Sequence, residues 1–346
     1  MQIKNLKYRF TVKQLYNYYN YYKFKSFNMK ESKLNYRPIW LLLYLSDLCN
    51  LKCKMCPHHS ENKNNFEFIK ELDNKFMSIE IVKKIYKKFP EAYLVMLGGV
   101  GEPLLNPEFK EIVKLTAKNK KKMNLITNGI LLNEDMSNFI LSEKYFNQIS
   151  ISLNAPNQEV YSSICGVSAD TFEDVIKNIK YIVRKKKELK SDIEIILSGV
   201  CGQEFVKESK EFLKLCDTLG VDRIDLHRYI DFNINEGLAD IDDSSYNIND
   251  LYDFSKTLHT KINLPHKLSK YEFNCNWYFK NLSFDSKGNI GSCGRVINPN
   301  KEYGNINDEE DIWNNEYMRD VRELIINKQV PSKYCIKCVE NYEVET

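Results

Sequence analysis

No stretch of this 346-residue chain is long and apolar enough to cross a bilayer: its longest apolar run is Ile39 to Leu45, against the ~20 residues a membrane helix needs. A transmembrane segment is therefore not expected. The amino terminus lacks the charged, apolar and small-residue succession of a secretion signal. No internal repeat and no low-complexity segment interrupts the chain, and beyond its first residues it has no basic stripe or nucleic-acid motif, which argues against nucleic-acid partners. Ten cysteines without a secretion signal point to reduced thiols, metal chemistry and a cytoplasmic location rather than a disulfide framework. What remains is ordinary for a globular protein, 43% hydrophobic and 28% charged, enough for one large domain with or without a small appendage.

Charge is uneven. Residues 1–37 hold nine basic side chains and one acid, a surplus of +8 in a chain whose net charge is +3, which leaves the remainder at −5. The same stretch has seven tyrosines, among them Tyr18, Tyr19, Tyr21 and Tyr22. Such a segment can bind nucleic acid or a membrane surface. The reading favoured here is a helix laid against the main fold, its tyrosines half buried and its lysines in water.

From Ile39 to about Ile230, short apolar runs alternate with amphipathic stretches. Strands are predicted at Trp40–Ser46, Tyr93–Leu97, Met123–Thr127, Gln148–Leu153, Ile193–Gly199 and Arg223–Tyr229. Helices are predicted at Ile79–Lys88, Pro107–Asn119, Asn133–Ser142, Thr171–Lys187 and Val206–Leu219. Ser78 and Asn106 serve as N-caps and Gly220 as a C-cap signal. The alternation argues for a parallel sheet covered by helices, with ligands at the carboxyl ends of its strands. An Asn/Asp-rich stretch, Asp231–Asp250, then reads as a linker. The expected organisation is an extension over 1–37, a strand–helix domain over 38–235, and a linker with a smaller unit over 236–346.

Three cysteines crowd one short segment after the first strand: Cys49-Asn-Leu-Lys-Cys53-Lys-Met-Cys56. Three thiolates on one loop can hold three corners of a cubane iron–sulfur cluster and leave the fourth iron open to a small molecule. A partial zinc site or scattered core cysteines are the plainer readings; zinc prefers CxxC pairs and four protein ligands. The CxxxCxxC spacing, Met55 before the last cysteine and the apolar run that precedes the loop resemble the radical S-adenosylmethionine (SAM) superfamily. The resemblance implies a partial (β/α)6 barrel and a [4Fe–4S] cluster on Cys49, Cys53 and Cys56. It also implies chelation of the open iron by SAM, reductive cleavage of the sulfonium and hydrogen-atom abstraction by the 5′-deoxyadenosyl radical. Met55 is expected near the adenine.

After the second strand comes Gly98-Gly-Val-Gly101-Glu102-Pro103, similar to the superfamily's GGEP motif with one residue inserted between its glycines. Glycines at a strand end let backbone approach a ligand closely. By the resemblance, Gly99, Gly101 and Glu102 bind SAM. In the fourth strand Ser150, Ser152 and Asn154 share one face and Ile149, Ile151 and Leu153 the other. An inward polar row implies a wet or ligand-filled cavity, and Ser152 and Asn154 are assigned to SAM. Asn128, in Thr127-Asn128-Gly129 at the third strand's end, is a further candidate. In the sixth strand Asp225 and His227 share a face that sequence leaves undecided; His227 or Arg228 could handle a proton or an anion. Cys201, after the fifth strand, is a candidate nucleophile or hydrogen donor. Cys216 is expected in the core and Cys165 in a loop.

The carboxyl-terminal part has Cys275, Cys293, Cys335 and Cys338, with a hairpin turning at Gly288 between the first pair and a helix between the pairs. Four thiolates suit either zinc or a second cluster. With Tyr303-Gly-Asn-Ile, Ile312-Trp313 and Cys335-Ile-Lys-Cys338, the region resembles the SPASM/twitch extension in its one-cluster form, which implies an auxiliary [4Fe–4S] cluster. The arrangement is similar to that of twitch dehydrogenases acting on 2-deoxy-scyllo-inosamine. It implies oxidation of a small polar metabolite, with a flavodoxin or ferredoxin-type electron donor. Peptide or protein modification is the alternative, and a non-catalytic iron–sulfur or zinc module the remote one.

Overall fold

The structure, a computed structural model, describes residues 10–26, 30–61, 73, 75–201, 207–228, 248–265, 268–271, 273, 275–291, 293–294, 299–338 and 342–344. Helix α1 spans Val12–Ser26. Strands β1 (Trp40–Tyr44), β2 (Leu94–Gly98), β3 (Lys122–Thr127), β4 (Phe146–Ser152), β5 (Glu194–Cys201) and β6 (Arg223–Arg228) then alternate with helices. These are α2 (Ile79–Lys88), α3 (Phe109–Lys118), α4 (Glu134–Ser142), α5 (Gln158–Cys165), α6 (Asp170–Leu189) and α7 (Ser209–Leu219). The later elements are α8 (Ile248–Ser255), β7 (Lys261–Asn263), β8 (Leu268–Tyr271), β9 (Asn281–Phe284), β10 (Asn289–Gly291), β11 (Asn300–Asn305), α9 (Glu316–Ile326) and β12 (Tyr342–Val344).

One sheet runs β11-β10-β9-β1-β2-β3-β4-β5-β6-β7. From β9 to β7 every neighbouring pair is parallel. The six predicted strands are therefore present, in sequence order, as a parallel α/β sheet with helices outside. The sheet is also wider than six strands. β7 joins β6, and β9 from the carboxyl-terminal hairpin pairs along β1 from Trp40↔Asn281 to Leu43↔Phe284. That hairpin thus continues the main sheet instead of standing apart. The boundary expected at 235/236 lies outside the described residues.

Alternation sets the two faces. Ile149, Ile151 and Leu153 are fully buried, as are Leu41, Leu43, Leu125, Ile195 and Ile224, and these residues pack beneath the helices. The opposite, inner face carries Ser150 and Ser152, in register with Ile196 and Ser198 of β5. Asp225 of β6 is in register with Ser198, so His227 also points inward and Arg228 does not. That resolves the face which periodicity leaves open.

Local signals explain most element ends. The Ser78 side chain accepts from Ile81 N at the start of α2, a cap worth about 1 kcal/mol. Gly220 ends α7 at φ +68, where a side chain is disfavoured. Asn106 makes the hydrogen bond expected of an N-cap, its Oδ1 accepting from Glu108 N at 2.8 Å, although the regular helix begins only at Phe109. Its amide also donates to Leu45 O at 2.7 Å and Met77 O at 2.9 Å, tying the segment after β2 to that after β1. Cys165 departs from its predicted loop: it is the last residue of α5, and it is buried.

Helix α1 lies across the amino-terminal ends of the strands, as the favoured reading of the tyrosine-rich segment expects. Its Gln14 amide donates to Ala92 O (3.2 Å) and Lys120 O (3.3 Å), just before β2 and β3. Asn17 exchanges two hydrogen bonds with the Arg37 backbone. Tyr18 packs edge-on against Tyr93, and Tyr21 against Tyr36, while Tyr16, Tyr19 and Tyr22 face solvent. Among the described residues no helix is long and apolar enough to cross a membrane.

Candidate functional site

Three loops meet at the carboxyl ends of β1, β2 and β3. The first carries the cysteines. Ser46 braces it, its hydroxyl accepting from Leu48 N at 2.9 Å. Asp47, buried beside it, accepts from Lys75 N and from the Ser286 hydroxyl (2.9 Å), which links the loop to the β9–β10 hairpin.

The second is the glycine loop. Gly101 N donates to Ser46 O at 3.0 Å and Glu102 N to Leu48 O at 2.8 Å. A Cβ on Gly101 would stand 2.2 Å from Leu48 O, so only glycine lets the two loops touch. Gly99, at φ +119, lies against the ring of Tyr44. Glu102 turns inward, 3% exposed. Its carboxylate accepts from Thr127 Oγ1 (2.7 Å), Asn128 N (2.8 Å) and Leu104 N (3.1 Å). The side chain thus binds the glycine loop to the third loop, and burial pushes its pKa up to about 7.

Asn128 reaches the cysteine loop: its amide donates to Asn50 Oδ1 at 2.7 Å and lies 4.0 Å from Cys49 Sγ. Met55 is half buried and packs on the core. Ser150 donates to Ser198 Oγ at 3.4 Å. Asn154 leaves the polar row: at φ +56 beyond the end of β4, it accepts from Val200 N at 3.1 Å and ties β4 to β5. His227 is exposed at the inner face's carboxyl end. Cys201 ends β5 by its backbone; its side chain lies outside the described residues.

Cys49 senses the charges of Cys53 and Cys56, and Cys56 that of Cys53. Burial pushes the Cys49 thiol up to about 12 and raises Cys56, against backbone N–H groups of Leu51, His58 and His59 that favour the thiolates. A half-buried loop carrying three thiols and aimed amides holds thiolates once a cation compensates them. The residues therefore fit a cluster. Among the described residues no three His, Cys, Asp or Glu side chains gather around a single metal-ion position. Thiolates of a cubane bind separate irons and stand wider apart, so that observation bears on a mononuclear site.

The carboxyl-terminal cysteines also converge. Cys275 and Cys335 each sense Cys293 and Cys338, and burial pushes both thiols up to about 12. This group adjoins β1: a Cβ on Gly294 would lie 2.6 Å from Leu42, and Cys293 neighbours the phenol of Tyr44. Sequence reading missed Tyr44, which touches both halves of the site, and Tyr161 and Cys165 of α5. The spacing of Tyr161 and Cys165, one helical turn, becomes a signal only once α5 is known to be a helix.

The family model described as the radical SAM superfamily matches residues 43–224. The chain is 24% identical over 330 residues to the tungsten-containing aldehyde ferredoxin oxidoreductase cofactor-modifying protein of Pyrococcus furiosus, covering 86% of each. It is 30% identical over 190 residues to a probable GTP 3′,8-cyclase of Saccharolobus islandicus, 54% of this chain and 55% of that protein, so the match spans about half of that relative. Among solved structures, Streptococcus suis SuiB bound to precursor peptide SuiA superposes with a TM-score of 0.64 at 17% identity, covering 94% of this chain and 74% of that one. Native anSMEcpe with bound AdoMet gives 0.63 at 21% identity, covering 87% and 89%. At these identities the structural likenesses establish the fold.

Proposed function

The chain belongs to the radical SAM superfamily, and from that membership we propose that it cleaves SAM reductively at a [4Fe–4S] cluster on Cys49, Cys53 and Cys56 and oxidises a small polar metabolite, such as a sugar or cyclitol. When bound, the cluster supplies the electron that breaks the sulfonium, and the adenosyl fragment takes a hydrogen atom from the substrate. A flavodoxin or ferredoxin-type protein is the proposed donor of that electron. Cys275, Cys293, Cys335 and Cys338 form the ligand set proposed for an auxiliary [4Fe–4S] cluster in a twitch-type unit, an acceptor for the electron that alcohol oxidation releases.

The observation that carries the substrate class is the polar inner face. Ser150, Ser152, Ser198, Asp225 and His227 line up across β4, β5 and β6 where a packed barrel would be apolar. Their hydroxyl and imidazole groups suit a polyhydroxylated ligand, while the Asp225 carboxylate is held by Arg223 at 2.8 Å and by the Asn263 amide at 2.7 Å. Gly99 and Gly101 bring backbone to SAM, Asn128, Ser152 and Asn154 offer polar groups beside it, and Met55 adds an apolar contact. Glu102 acts by holding the glycine loop in place. His227 is the proposed proton acceptor from the substrate hydroxyl, ahead of Arg228 on the other face and of Cys201.

A second reading, peptide modification, is supported by the whole-chain likeness to SuiB, whose structure holds a precursor peptide. Deuterium separates the two. Reconstituted enzyme with dithionite and SAM should carry label from a deuterated sugar or cyclitol into 5′-deoxyadenosine. Label arriving only from a peptide would replace the first reading with the second. Cys53→Ala should abolish 5′-deoxyadenosine in either case, and unchanged production would refute the cluster assignment.

A further inference from the structure

Helix α5 ends against the middle of the cysteine loop. Lys52 N donates to Cys165 O at 3.1 Å and Lys54 N to Ile164 O at 2.8 Å, so two backbone hydrogen bonds bracket Cys53. Gly166 closes the helix at φ +67, and a Cβ there would stand 3.2 Å from Lys52 O. On the helix face turned to this loop stand Tyr161 and Cys165, one turn apart and both fully buried. The Cys165 thiol is a hydrogen-bond neighbour of the Cys53 thiol. The Tyr161 hydroxyl has Cys165, Cys53 and Cys49 around it; its buried oxygen meets no N–H, O–H or C=O group among the described residues, and its one hydrogen-bonding neighbour is the Cys165 thiol.

A buried hydroxyl left with only a thiol, a weak hydrogen-bond partner, is poorly satisfied, and native structures rarely keep one without a reason. Phenylalanine would fill the same apolar space without that defect. The groups this hydroxyl faces are the sulfurs of the cysteine loop.

We propose that Tyr161 and Cys165 form a donor pair that hydrogen-bonds the sulfurs of the cluster held by Cys49, Cys53 and Cys56 and raises its reduction potential. The inference rests on the cluster assignment above. Sulfur ligands carry more negative charge in the reduced cluster, so a donor aimed at them favours reduction, and hydrogen bonds to sulfur are among the levers that set such potentials. Both residues are positioning groups; neither is assigned a contact with the substrate.

The test uses full-length protein reconstituted anaerobically. The EPR signal that responds to added SAM is followed through a potentiometric titration, with iron and sulfide counted alongside. Tyr161→Phe and Cys165→Ala should each move the midpoint to more negative potential, and the double variant should move it further. Cys165→Ser, which restores a donor, should fall between Cys165→Ala and wild type. Tyr161→Phe carrying wild-type iron and titrating at the wild-type potential would overturn the proposal. A variant that loads poorly is read by urea unfolding of its cluster-free form. Tyr161→Phe should then be about as stable as wild type, since it loses only a weak contact with a thiol; a marked loss of stability means that the polypeptide already satisfies the hydroxyl, and overturns the pair. A wild-type protein that builds no SAM-responsive cluster overturns the underlying assignment, and the pair with it.

Discussion

Glu102 shows how one motif side chain can join the loops around a site. Three donors converge on a carboxylate that has almost no access to water. They lower its pKa, but burial outweighs them and sets the value near 7, above the 4.5 of a free glutamate. Between those two values the folded chain holds a proton that the unfolded chain has released, so this residue's contribution to stability falls as pH rises from about 4.5 to about 7. Each tenfold change in proton affinity is worth about 1.4 kcal/mol, so the swing is on the order of 3 kcal/mol. Glu102→Gln should flatten that part of the stability–pH curve in cluster-free protein, measured by urea unfolding at several pH values. A variant that keeps the wild-type slope would show that the titrating group lies elsewhere.

At the scale of elements, the contact between the glycine loop and the cysteine loop matters most. Gly101→Ala forces a methyl group into the Leu48 carbonyl, and neither backbone can yield without parting Glu102 N from Leu48 O. The expected result is a protein that still folds, incorporates less iron and binds SAM at least tenfold more weakly, read by equilibrium dialysis with labelled SAM. How far these elements were legible depends on the range of the forces that shape them. Helix α2 begins and ends where Ser78 and its amphipathic period put it, and Gly220 stops α7. The inward serines of β4 followed from alternation alone. Helix α5 was missed because it is only eight residues long, too short for a period to stand out, although Asn157 caps its start and Gly166 its end. Asn106 was legible as a cap, but the second use of its side chain, bonded to Leu45 O and Met77 O, depends on distant segments and was not. The cysteine spacing was legible because a loop of covalent ligands needs no distant partner. The poorly satisfied Tyr161 hydroxyl was not, since that is a property of the packed surroundings.

The whole molecule is stitched across its chain ends. Tyr36 donates to Phe279 O at 2.7 Å, Trp313 Nε1 donates to Tyr36 O at 2.7 Å, and Arg322, fully buried beneath Trp313, donates to Tyr278 O and Ser32 O. Arg322→Met keeps much of the volume but strands several acceptors. It should cost about 3 kcal/mol by urea unfolding, with the early and late segments loosening together in hydrogen exchange. Cys335→Ala/Cys338→Ala should lower iron content while 5′-deoxyadenosine formation partly survives, because the loop after β1 remains whole; wild-type iron in the double variant would remove the auxiliary cluster from the proposal.

Pairing of β1 with β9 also bears on synthesis. The first strand to leave the ribosome keeps one hydrogen-bonding edge bare until residue 281 emerges, so the earliest part of the sheet waits on nearly the last. Partnerships this distant in sequence form slowly. The nascent chain therefore passes through a half-walled stage, open on the side that the late hairpin closes.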